Sequence, residues 1–179
     1  MVEESANDVA TGHFTDPTFP WTDPVIRSAT PALPKASGRV GALKREAIEE
    51  SDGFSASGAN DADFTRERNA TARAGKLFGI HAGEVNSSDI NPALDLDPDF
   101  LVHMVHAEKL HLERIADSET PVVVCPRSNA VTDVGLPPVG DLLEATTVAL
   151  GTDNVMLNSP SMFREMEHRP AASVRSRRP

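Results

Sequence analysis

The sequence predicts an α/β fold built on a parallel sheet. Three observations carry this reading. Short, continuously apolar runs recur at Lys76–Ile80, Phe100–Val102, Pro121–Val124 and Thr147–Leu150. Stretches with helical periodicity separate several of them, which makes the repeating unit βα. The runs lack polar alternation, as strands covered on both faces do. The 179 residues suffice for one domain with a sizeable core. They fall short of the roughly 250 that a complete (β/α)8 barrel needs.

The elements follow in order. Residues 1–38 are expected to be irregular, because Pro17, Pro20, Pro24, Pro31 and Pro34 break helices and central strands. Ala42–Ser51 reads as a short helix with Leu43, Ala47 and Ile48 on one stripe, ended by Asp52-Gly53. Ser55–Asn60 reads as loop. Asp61 or Asp63 can cap a helix that runs to Arg73 and closes at Gly75. The strand Lys76–Ile80 ends at His81, and Phe100–Val102 ends at His103. Ala107–Ser118 is an amphipathic helix with Leu110, Leu112, Ile115 and Ala116 expected inside. Pro121–Val124 leads to Cys125, Val139–Ala145 is a short helix, and Thr147–Leu150 ends just before Asp153. A last helix starts near Ser161. Residues 168–179 form a basic tail with four arginines, expected to be disordered.

Composition excludes several classes. The 27 acids against 17 Lys and Arg give a net charge of −10, which disfavours nucleic acid and anionic membrane as partners. No run approaches the ~18 apolar residues of a membrane span. The N-terminus carries acids where a signal peptide needs bases, so a cytoplasmic protein is expected. The single Cys125 excludes an internal disulfide. Only four of the basic residues are Lys, and large aromatics are few, a balance that suits a cytoplasm of high salt.

The reactive residue types sit at one place in the βα rhythm. His81, His103, Cys125 and Asp153 each follow a strand, at spacings of 22, 22 and 28 residues. Successive parallel strands end on the same side, so His81, Glu84, His103, Arg127 and Asp153 should converge on one rim. A neutral imidazole at His81 can ligate zinc or iron, and Glu84, three residues on past Ala-Gly, can move protons over the same pocket. Alone, this pair is more often a satisfied histidine beside a surface glutamate. In His103-Met104-Val105-His106, His103 is nearer the strand end and favoured for the pocket; His106 and His111 read as helix-start and surface residues. Cys125 can be a nucleophile or ligand, or a buried, inert thiol. Arg127 and Asn129 can bind a polar or anionic substrate group, or brace the loop. Asp153 can hold a metal and its water, or cap a turn.

Taken together, the blocks FGIHAGE, FLVHMVHA, VVVCPRSN and VALGTDNVM, with SPSMFREME after them, resemble the C-terminal half of the metal-dependent amidohydrolase superfamily. The nearest branch is that of the triazine chlorohydrolases and the S-adenosylhomocysteine and guanine deaminases. The resemblance covers about residues 39–167. It implies a partial (β/α)8 barrel comprising about strands 5–8, with the N-terminal half missing, and one divalent metal, zinc or iron, at its mouth. It implies His81 and Asp153 as metal ligands, Glu84 as proton shuttle and His103 as the group that polarises substrate or positions water. It places Ser128 and Asn129 in the loop after strand 7, and with Arg127 these are the expected substrate-binding residues. The implied reaction is attack of activated water on the C–N bond, or more rarely the C–Cl bond, of a small-molecule heterocycle or amide.

The sequence departs from the family in one respect. The family's first barrel strand ends in His-x-His, and no His-x-His occurs here. His81 and Asp153 alone fall short of a three- or four-point metal site. The chain is therefore expected to bind metal weakly and to be inactive alone, unless a complementary N-terminal half supplies the rest. The alternative expectation is a non-catalytic remnant or subunit that binds a partner through exposed sheet edges.

Overall fold

The computed structural model describes Ile48, residues 51–154 and residues 156–168. Five strands form one sheet: β1 Gly53–Ala56, β2 Leu77–Ala82, β3 Phe100–His103, β4 Val122–Val124 and β5 Val148–Leu150. Among the described residues these α-helices accompany them: α1 Thr65–Ala74, α2 Ile90–Asp95, α3 Lys109–Ser118, α4 Pro126–Thr132, α5 Val139–Ala145 and α6 Met162–Glu167. Every neighbouring pair of strands is parallel, and the spatial order is the chain order, β1-β2-β3-β4-β5. Parallel crossovers are right-handed as a rule, and in an order that never reverses this puts the connecting helices on one face. The sheet is thus an arc of barrel wall, with a helix side and an inner side.

The pleat sorts the side chains accordingly. Phe54, Ala56, Phe78, Ile80, Ala82, Leu101, Val122 and Val124 face the helix side and join Phe64, Ile90, Ala93, Leu94, Ile115 and Leu142 in the main core. The Phe54 and Phe78 rings stack with centroids 6.3 Å apart. On the inner side, Val102, Val123 and Cys125 form a smaller buried cluster, with Phe100 against it. The Phe100 ring lies over Gly79, where an added Cβ would stand 2.2 Å from Cζ. Only glycine admits the ring there.

The parallel α/β architecture expected from the sequence is present, with five strands where four were predicted. The extra strand is β1. Its inner positions are Gly53 and Ser55, which leaves only Phe54 and Ala56 to signal a strand. The α2 and α4 helices are additional to the elements expected from the sequence. The α1 helix closes on Gly75 in the left-handed conformation, as the sequence suggests, and Asp63 Oδ1 accepts from the Thr65 amide at 2.9 Å. In α3, Ile115 is buried, whereas Leu110 is 72% exposed. His111, expected at the surface, is buried: its Nδ1 accepts from the Glu108 amide at 3.0 Å and closes the helix start. Of the helix predicted over Ala42–Ser51, Ile48 and Ser51 are described, and Ile48 packs in the main core. The predicted irregular segment 1–38 lies outside the described residues, as do residues 169–179 of the predicted tail.

Candidate functional site

The chemistry gathers at the C-terminal ends of β2 to β5, where parallel strands open onto loops. His81 is the penultimate residue of β2 and shares the inner face with Gly79. Gly83 follows with φ 64°, a conformation glycine adopts at no steric cost, and the turn carries Glu84 back over the strand end. Asp89 Oδ1 fixes this turn by accepting from the Gly83 amide at 2.9 Å.

His103 reaches the same place by a different route. The register pairs it with Ala82, which faces the helix side. A regular pleat would send the imidazole to that side too. Instead, His103 and Met104 have φ of 75° and 54°. These left-handed values break the alternation and turn the ring toward His81. Such conformations cost on the order of 1–3 kcal/mol each and persist where surrounding contacts enforce them. Here Met104 is fully buried, and its amide donates to the Ala82 carbonyl at 2.9 Å.

The two imidazoles meet edge to face, with centroids 4.7 Å apart, and His103 Nε2 is 3.2 Å from His81 Nδ1. On its other side, His103 Nδ1 is 2.8 Å from Asn129 Oδ1. Glu84 Oε2 lies 3.6 Å from His103 Nε2. His103, Ser128 and Asn129 are fully buried. Asp153, at φ 55°, accepts a hydrogen bond from the Ser128 hydroxyl through Oδ2. A hollow of about 240 Å³ opens beside His81 and Glu84, lined also by Asn60, Asp61, Asn86 and Asp89. Another of about 290 Å³, at Leu94, Arg114, Asp117 and Ser118, lies away from the strand ends and touches none of these groups.

The electrostatics keep His81 neutral. Burial pushes its pKa down to about 4, and repulsion from His103 adds to this; the charges of Asp153 and Asp61 oppose it. A neutral buried imidazole is the form a metal ion requires. His81, Glu84 and His103 offer donor atoms that all lie within 4.8 Å of one another, enough to hold an ion. Asp153 is not a member of that group, though its charge acts on the His81 ring. The donor chemistry therefore fits a divalent metal, as part of a ligand set. Cys125 is the opposite case. Burial, reinforced by the carboxylates of Asp153, Glu165 and Glu84, raises its thiol pKa well above the ordinary range. The inert-thiol reading is the one this environment favours.

Of the remaining residues named from sequence, Arg127 is engaged in bracing. Its guanidinium donates to Glu165 Oε1 at 3.2 Å and to the Ser159 carbonyl at 3.1 Å, and its amide donates to Glu165 Oε2 at 3.1 Å. The Glu165 side chain is fully buried. This carboxylate, which sequence reasoning missed, ties α6 to the first turn of α4. A glutamate inside an amphipathic helix gives no local sign that it faces inward.

Comparison with known proteins agrees with this architecture. The family model described as "Amidohydrolase family" matches residues 60–174. A putative aminohydrolase of Methanothermobacter thermautotrophicus is 34% identical over 163 residues, which are 82% of this chain and 41% of that protein. The 5-methylthioadenosine/S-adenosylhomocysteine deaminase of Halobacterium salinarum is 44% identical over 115 residues, 54% of this chain and 26% of the relative. Among solved structures, the guanine deaminase of C. acetobutylicum with bound guanine superposes with a TM-score of 0.61 at 17% identity, covering 76% of this chain and 41% of that one. The chain thus spans less than half the length of each of these proteins. With the family model matching more than half of the sequence, and its strand-end residues gathered as described, the chain belongs to the amidohydrolase family.

Proposed function

We propose that this chain carries the C-terminal half of the active centre of a metal-dependent hydrolase, one that cleaves C–N bonds by deaminating an amino-substituted heterocycle. The observation that supports this most is the convergence of His81, Glu84 and His103 at the strand ends, with His81 held neutral. His81 and Asp153 would hold a divalent ion, zinc or iron, and a complementary half would add the His-x-His ligands. Such an ion supplies Lewis acidity and lowers the pKa of water toward neutrality. Glu84, on its glycine hinge, takes a proton from the attacking water and delivers it to the leaving nitrogen. His103 faces the same pocket and positions the water through the His81 ring that it contacts. Ser128 fixes the rotamer of Asp153. The acceptor-rich hollow at Asn60, Asp61, Asn86 and Asp89 suits the N–H groups of an amino-heterocycle. Arg127 has a bracing part in this reading, with its Nη1 held by Glu165 and Ser159.

The test is ammonia release from a panel of aminopurines and aminopyrimidines, with zinc present. The chain alone should release none. The chain combined with the N-terminal half of its Methanothermobacter relative should deaminate at least one. An assembled, zinc-loaded complex that releases no ammonia contradicts the proposal.

A second reading has one observation in its favour: among the described residues the sheet is open, with β1 and β5 at its two edges. Ala149, in the middle of β5, is exposed. A non-catalytic chain could recruit a partner strand there by adding to the ladder. Pull-down of a partner that Ala149→Pro releases, with no deamination in any combination, favours this reading.

A further inference from the structure

We propose that Asn129 is a positioning residue whose side-chain carbonyl sets the tautomers of both active-site imidazoles. The inference rests on the assignment of His81 and His103 to the hydrolytic centre. It goes beyond that assignment by giving Asn129 a role toward the rings in place of a contact with substrate.

Donors and acceptors at the two rings fix where the protons sit. Asn129 Oδ1 lies 2.8 Å from His103 Nδ1, and both side chains are fully buried, so no water competes for the bond. An amide oxygen only accepts, so Nδ1 of His103 must carry the proton. A neutral ring with Nδ1–H has its lone pair on Nε2. That nitrogen is 3.2 Å from His81 Nδ1, and the closest carboxylate oxygen, on Glu84, is 3.6 Å away, beyond hydrogen-bond length. With Nε2 of His103 accepting, the donor is His81 Nδ1–H. The lone pair of His81 is thereby left on Nε2, the nitrogen that does not face His103. One carbonyl thus aligns two rings in series, and each presents a lone pair in a defined direction. This is how a hydrogen bond to one ring nitrogen fixes what the other can do.

The position of Asn129 is itself well determined. It stands in the first turn of α4, behind Pro126 at the start of that helix, and its amide donates to the Cys125 carbonyl at 3.0 Å. Glu165 and Arg127 pin the same turn to α6. The amide therefore meets the ring from a braced element rather than a mobile loop.

The experiment is ¹⁵N-detected imidazole NMR of the metal-free chain at pH 8, with histidine assignments from His81→Gln and His103→Gln variants. The expected spectrum has His103 as the Nδ1–H tautomer and His81 likewise. In Asn129→Leu the His103 Nδ1–H signal should be lost, with a mixture of tautomers in its place; Asn129→Asp, which keeps a carbonyl-type acceptor, should restore it. A wild-type His103 in the Nε2–H form, as an amide turned end for end would give, overturns the proposal. So does an Asn129→Leu protein that keeps the wild-type tautomers. If the leucine variant does not fold, the wild-type spectrum alone decides. Because the readout needs no metal and no turnover, absence of deaminase activity would count against the proposed function and leave this result intact.

Discussion

His81 Nδ1 and His103 Nε2 lie 3.2 Å apart although the register pairs His81 with Val102 and His103 with Ala82. The contact exists because His103 leaves the pleat at φ 75°. It sets a second ring against His81, whose desolvation, reinforced by this contact, governs the pH dependence of the metal-free chain.

His81 binds its proton with a pKa of about 4 in the folded chain, against 6.5 for an ordinary histidine. Between these values the unfolded state takes up a proton that the folded state refuses, so stability falls as pH drops from about 6.5 to 4. The loss at the lower end is on the order of 2–3 kcal/mol. Urea unfolding at pH 7 and pH 4.5 checks this: the midpoint should fall in the metal-free wild type and fall less in His81→Gln.

Glu84→Gln keeps the side chain's size but not its ability to carry a proton. In an enzyme reconstituted with the complementary half, kcat should drop by about 10²–10⁴-fold, with zinc content unchanged. Steady-state ammonia release and metal analysis measure both.

The Arg127–Glu165 pair is enclosed, with side-chain exposures of 15% and 0%. Glu165→Ala leaves a guanidinium poorly solvated and should cost about 3–5 kcal/mol. Glu165→Gln, which keeps an acceptor for the Arg127 amide, should cost less. Urea titration of the three proteins ranks them.

Residues 1–168 contain all 27 acids and only 13 of the 17 basic residues. Self-repulsion on that scale is relieved by screening. The thermal midpoint should rise steadily from low salt to molar KCl, and a flat or falling curve would remove the support for a high-salt origin.

The sequence makes some of this plain and hides the rest for physical reasons. Strands β2 to β5 announce themselves as continuous apolar runs, and His81, His103 and Asp153 stand at the strand ends or just past them, where the chemistry of a parallel sheet collects. Strand β1 escapes notice because its inner residues, Gly53 and Ser55, are not apolar. Leu110 has the right spacing for the interior of α3, yet it is exposed among the described residues. The backbone reversal at His103 cannot be read from local composition, since positive φ is uncommon for any residue but glycine, histidine included. The inward turn of Glu165 and its tie to Arg127 span 38 residues and depend on where α6 docks.

Zinc titration of the isolated chain tests the central claim most directly. The account predicts weak binding that needs a large excess of zinc, disappears in His81→Gln, and tightens when the His-x-His-bearing half is added. One equivalent of zinc held by the isolated chain through dialysis, together with ammonia release in the absence of any second half, would contradict it.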